Sequence, residues 1–393
     1  MKGEPMWKKR RAFGILIAIL AIVAAAQPGP GMGSEPLDWR RLSETLVDRM
    51  DLQPGERVLL MAAHGRFDPL VEQIREAVRA AGAVDLGALN ISATAPPEWE
   101  TAFTRDLEGK SRAELVPGLK DVDLAVMMPG AVPTHPPYAA MQDVLWTGRG
   151  RTIHFHWTGA YDLSERALEI TPEIDAFYQR VILETDYERL AKSQESFEAA
   201  MRGQKIRVTT PAGTDLQFEI GDRPVTRQDG DASAARAARG RNLIDREIEL
   251  PAGAVRLAPI EGSVSGTIAF PPANWQGERV EGLKMRFVDG RVESLEARTG
   301  LDAVKTELET AGAAGRSFRE FVLGMNPLLA IPDEGEPWIP YYGYGSGIVR
   351  LSLGDNTELG GEVTGGYVRW NFFADATVFV GDEVWVRDGK LLR

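Results

Sequence analysis

The chain contains no cysteine. Disulfides, thiol nucleophiles and thiolate metal sites are therefore excluded together. Histidine is almost as scarce. His64, His135, His154 and His156 are the full complement of 4. A histidine-rich metal centre or an ordinary serine triad is hard to assemble from so few. Basic charge is also in deficit. Lys and Arg number 45 against 57 Asp and Glu, for a formal net charge of −12. A nucleic-acid partner requires a basic face, so none is expected. Several catalytic signatures are missing. There is no HExxH. The EGKS stretch at 108–111 has Thr104 where a phosphate loop needs its leading glycine. GSVSG at 262–266 carries Val264, not serine, at its centre, and GYGSG at 343–347 lacks the spacing of a dinucleotide fingerprint.

What is present is an ordinary globular composition, 44% hydrophobic and 26% charged, over 393 residues. That length allows two domains with buried cores. Lys2, Lys8, Lys9, Arg10 and Arg11 precede an apolar run over 12–26, and QPGPGMGSEP follows it. This is the pattern of an export signal cleaved near Ala26. The run is short of the roughly 20 apolar residues that a bilayer span needs. An uncleaved membrane anchor through 12–26 and a twin-arginine signal at RRAF remain open alternatives. An exported, acidic, cysteine-free chain suits a bacterial periplasm or cell envelope.

Residues 36–204 read as an α/β domain. GERVLLMAA at 55–63 is a buried strand, and Leu70, Ile74, Val78 and Ala81 then recur at helical spacing up to Gly82. VDLGALNIS returns as a strand, so a parallel sheet is expected. Further strands are expected at 121–130 and 151–157, then a long helical region over 172–202. From residue 205 short alternating strands dominate, a β-rich α+β domain over 205–393. Asp289-Gly290 and Asp388-Gly389 mark hairpin turns. Residues 228–242 read as a mobile surface loop, and PAGAVRLAP at 251–259 as a stiff apolar loop pinned by two prolines. In HFH, His154 and His156 lie at i and i+2, on one face of a strand. Two such imidazoles form a partial metal site, or else two satisfied core histidines.

The order of phrases in the second half carries a resemblance. RVTTPAGTDLQFEI is followed by ELPAGAVRLAPIEGSVSGTIAF, GLKMRFVDGRVESLEA, REFVLGMNP and GSGIVRLSLGDN. This resembles the thermophilic metallo-aminopeptidases of the aminopeptidase T and aminopeptidase S type, over roughly 50–393. The resemblance implies a homodimer and two divalent ions (zinc, cobalt or manganese) in a cleft, polarising a peptide carbonyl and activating water. Carried over position by position, the ligand set falls on Ala254, Glu320, Arg350, Thr357, Phe373 and Asp375. Only Glu320 and Asp375 keep the acid expected. Arg350, always protonated, repels a cation and is a candidate to replace the metal's charge. Related dihydroxypyridine dioxygenases use one iron and need histidines in the C-terminal half, where this chain has none. The resemblance thus implies an aminopeptidase-like protein with a degraded binuclear site that binds a peptide or small anion or serves as a structural partner. Arg350 with Trp338, Tyr341, Tyr342 and Tyr344 would line such a pocket. The alternative is an active hydrolase with a rearranged ligand set that recruits His154 and His156.

Overall fold

The computed structural model describes residues 36–92, 96–333 and 335–393. The export segment expected at 1–26 lies outside them. No helix among the described residues is long and apolar enough to cross a membrane.

The first layer is a parallel sheet. Its strands run, in spatial order, Val84–Asn90, Arg57–Ala62, Leu124–Met127, Arg151–Phe155 and Glu247–Leu250. The strand Arg57–Ala62 shows why both faces are covered. Val58 and Leu60 point into a core shared with the helices Trp39–Met50 and Asp68–Ala80. Leu59 and Met61 point the other way, onto Leu115 and Leu119 of the helix Arg112–Leu119 and Met141 of Pro136–Trp146. A strand buried on both faces reads as a continuous apolar run, which is what VLLMA is. The fifth strand comes from beyond residue 204, so the chain returns to complete its first sheet.

Two larger antiparallel sheets and two two-stranded ones make up the rest among the described residues. One runs Val368–Phe373, Val349–Gly354, Phe318–Gly324, Ala254–Leu257 and Val225–Gln228. The other has eight strands, from Arg291–Glu296 to Lys390–Leu391, with Asp215–Glu219 near its middle. They meet through aromatic rings: Phe218 lies 5.3 Å from Phe321 and 6.3 Å from Phe318. Both Asp-Gly turns form as expected. Asp289 and Gly290 have φ of 48° and 75°, and Asp388 and Gly389 of 49° and 75°, the left-handed pair that a two-residue hairpin requires.

Three local expectations are corrected. The helical region over 172–202 is two helices, Pro172–Glu184 and Tyr187–Met201, because the Asp186 side chain caps Arg189 N–H and starts the second. The stretch 228–242 is packed: Gln228, Asp229, Ser233 and Arg236 are buried, and Arg236 pairs with Asp229 at 2.8 Å. The apolar segment around Ala254 is a central strand, Ala254–Leu257, hydrogen-bonded on both sides. Its prolines bound the strand without breaking it.

Arg151 ties these parts together. Its guanidinium holds Glu56 at 2.8 and 2.7 Å and donates to Ala232 O at 2.7 Å and Met50 O at 3.3 Å. It is 4% exposed, so its loss would leave a carboxylate and two carbonyls without a buried partner. R151M is expected to lower stability by about 3–5 kcal/mol, read from urea unfolding. A loss below about 1 kcal/mol, in the range of a surface pair, would show that water serves equally well.

Candidate functional site

The strand Phe318–Gly324 has two chemically different faces. Phe321 and Leu323 join the hydrophobic core, while Glu320 turns to the opposite side. The neighbouring strands put matching residues beside it. Arg256 and Arg350 both sit opposite Val322, in register from either side. Ser352 sits opposite Glu320. A register shift between Phe318 and Glu320 breaks the strict alternation at this point. It lets the consecutive residues Arg319 and Glu320 both reach the polar face.

The result is a buried ion cluster. Glu320 is 0% exposed and Arg350 1%. Arg350 Nη2 donates to Glu320 Oε1 at 2.9 Å, and Ser352 Oγ donates to the same oxygen at 3.2 Å. Arg256 donates to Glu320 Oε2 from Nη2 at 3.2 Å and Nε at 3.4 Å. Arg319 Nε lies 3.8 Å from Oε1 and its guanidinium pairs with Glu358. Arg256 also donates to Glu249 at 3.1 Å, and Tyr344 Oη donates to the other Glu249 oxygen at 2.6 Å. Burial alone would push the Glu320 carboxyl up. The charges of Arg350, Arg256 and Arg319 outweigh that and hold it far below the usual carboxylate range.

Of the residues marked out in the sequence, the structure joins Glu320 and Arg350 in a direct ion pair. Ala254 lies on the Arg256 strand, opposite Gly324, with its methyl buried. Thr357 stays outside. Its N–H and Oγ both donate to Asp355 Oδ1, and its neighbour Glu358 enters the cluster instead. Phe373 joins the hydrophobic core, 6.4 Å from Phe270. The pleat gives its neighbours Trp370 and Phe372 the Arg350 side, and the Arg350 guanidinium lies 4.7 Å from the Trp370 ring. Asp375 is exposed in the turn after that strand, against the backbone of Gly389. Tyr341 and Tyr344 are fully buried supports, Tyr341 donating to Leu250 O at 2.9 Å.

His154 and His156 do share a face, their rings 5.3 Å apart and perpendicular. Both nitrogens of His154 are occupied, Nδ1 by Tyr138 Oη at 3.0 Å and Nε2 by Thr152 Oγ at 2.9 Å. Burial, then the neighbouring His156 and Arg256, push His154 well down, so it is neutral at physiological pH. Glu247 Oε1 is 3.9 Å from His154 and accepts from Gln142 at 3.0 Å.

The two divalent ions implied by the resemblance do not fit these residues. Each oxygen of Glu320 already accepts from two donors, three guanidiniums surround it, and Ala254 offers no donor atom. Among the described residues no group of three His, Asp or Glu side chains has a metal-holding arrangement. The sequence reading missed Arg256, Arg319, Glu249 and Glu358. The signal for the first was available, since Arg256 lies two positions past Ala254 and hence on its face. The bulge that recruits Arg319 has no such signal.

Charge balance in the cluster depends on Glu247. Glu249, Glu320 and Glu358 face Arg256, Arg319 and Arg350. Burial pushes the Glu247 carboxyl up to about 8, helped by the charges of Glu358 and Glu249 and opposed by Gln142 and Arg256. The folded chain then holds a proton that the unfolded chain has released. Between about 4.5 and about 8 this group's contribution to stability falls as pH rises. E247Q is expected to remove that slope and to gain on the wild type in thermal unfolding as pH increases across the window. A constant Tm difference at every pH would show that Glu247 is ionised in the fold.

Residues 184–327 match the family model for the thermophilic metalloproteases (M29). No curated protein sequence matches the chain. Among solved structures, 2,5-dihydroxypyridine dioxygenase from Pseudomonas putida superposes with a TM-score of 0.61 at 17% identity, covering 91% of this chain and 98% of its own. AmpT from Thermus thermophilus superposes with a TM-score of 0.59 at 15% identity, covering 90% and 99%. At these identities the likeness is one of fold. Taken together, the matched segment and the shared fold support the aminopeptidase-type family, that of the thermophilic metalloproteases, as the one this chain resembles.

Proposed function

We propose that this is an exported aminopeptidase-like protein in which guanidinium charge has replaced a binuclear metal site, and that it is not a peptide hydrolase. The observation that carries this reading is the saturation of Glu320. Its carboxylate has no oxygen left to ligate a cation, and the nearest charges are Arg350, Arg256 and Arg319. A guanidinium has donors only, so it supplies charge but neither Lewis acidity nor a bound water. The role that remains for these groups is architectural. Arg256 links Glu320 on one sheet to Glu249 on another, so the ions hold the two layers in place. Arg350 donates to Glu320 and to Tyr342 O, while its buried Nε makes no hydrogen bond. Export rests on the basic and apolar segments at 2–26 alone.

The test is hydrolysis of aminoacyl-nitroanilides by the full chain, with cobalt or zinc added, beside E320A. The expected result is no turnover above the uncatalysed rate in either protein. Metal-dependent turnover that E320A abolishes would overturn the reading.

A further inference from the structure

Next to the ion cluster lies a cleft of about 290 Å³ whose chemistry the cluster does not use. Its walls include Tyr161, Ser164, Glu165, Asn274, Trp370 and Phe372. The turn 162–166 is built to present Glu165. Asp162 Oδ1 accepts from Ser164 N at 2.8 Å, Ser164 Oγ at 2.7 Å and Arg166 N at 3.0 Å. Glu165 itself sits at φ 65°, a left-handed conformation that non-glycine residues rarely take. Such strain persists where the surroundings enforce it, often at ligand sites. The carboxylate reaches the outer edge of the strand Val368–Phe373, where Oε1 accepts Phe372 N–H at 2.8 Å.

Charge accounting singles out this group. Arg166 lines the cleft but is paired with Asp162 at 3.0 Å. Arg369 lines it too, but is paired with Glu307 at 3.1 Å and stacked 3.5 Å from the Trp275 ring centre. Glu165 has no ion-pair partner among the described residues. Around it are aromatic rings: Tyr161 and Phe372 lie 5.2 Å apart, and Trp370 is 5.3 Å from Tyr342. A carboxylate without a counter-cation beside aromatic rings is the chemistry that recognises an ammonium group. The volume admits only a small ligand.

We propose that this cleft binds a small primary amine, its ammonium paired with Glu165 and its carbon chain held against Tyr161, Trp370 and Phe372. The site stands whether or not the metal site is lost. Burial pushes the Glu165 carboxyl up to about 7, against the pull of Arg369 and the Phe372 N–H. Tyr161, pushed up to about 12 mainly by burial, stays neutral across the working range. Ionised Glu165 is the form that pairs, so amine affinity rises with pH.

The probe is n-butylammonium chloride, titrated into the full chain and followed by calorimetry and tryptophan fluorescence, with sodium butyrate as the matched anion. Saturable binding of the amine is expected with a Kd on the order of 1 mM, given its few heavy atoms. Binding is expected to be roughly tenfold tighter at about pH 8 than at about pH 6, following ionisation of the carboxyl. E165Q keeps an oxygen for Phe372 N–H and is expected to weaken binding about tenfold. Y161L, which removes a ring that makes no side-chain hydrogen bond, gives a second reading if E165Q misfolds, and is also expected to weaken binding. The proposal is overturned if the amine shows no saturable binding, if butyrate binds as tightly, or if neither folded variant changes the affinity.

Discussion

The pairing of Glu320 with Arg256 and Arg350 is the constraint on which this site depends. All three side chains are buried, and each alone would be untenable there. A charge taken out of water must find an opposite charge and enough hydrogen bonds to replace its hydration. Glu320 finds four donors on two oxygens, and Arg350 finds a carboxylate, a carbonyl and an aromatic face. The geometry follows from pleat and register. Strand alternation sends Phe321 to the core and Glu320 away from it, and antiparallel pairing lines up Arg256 and Arg350 on either side. The local bulge adds Arg319. The polar face of the sheet thus closes on its own cations.

That closure is also what joins the layers. Glu249 belongs to the last strand of the parallel sheet and is held by Arg256 from the antiparallel one, with Tyr344 on its other oxygen. Arg151 does comparable work on an adjoining strand. Ionic contacts thus join the two halves of the chain beside a hydrophobic core that they share. Buried ion pairs are weak sources of net stability but severe penalties when broken, so they fix the arrangement more than they strengthen it. Glu247, neutral at physiological pH, keeps the count of charges even.

Much of this was legible in the sequence. The apolar run VLLMA, the helical spacing of Leu70, Ile74 and Val78, and the two Asp-Gly turns each announce their structure through local physics. Arg350 and Glu320 were both marked out in the sequence, and the structure makes them direct partners. What lay beyond reach depends on long-range register. Phe373 faces the core and Asp375 lies in the turn beyond the strand, because the pleat gives Trp370 and Phe372 the Arg350 side. Arg236 turned a polar, alanine-rich stretch into a packed one through one contact, Asp229, that local pattern does not encode. Arg319 needed a bulge. Glu165, in a five-residue turn, gains its meaning only from the strand edge that it meets more than 200 residues later.

The proposed role has guanidinium groups standing where divalent ions would otherwise sit. The most direct measurement is elemental analysis of the full chain after equilibrium dialysis against cobalt, zinc and manganese in turn. Bound metal is expected far below one ion per chain, with wild type and E320A alike. Stoichiometric metal in the wild type that is lost in E320A would contradict it.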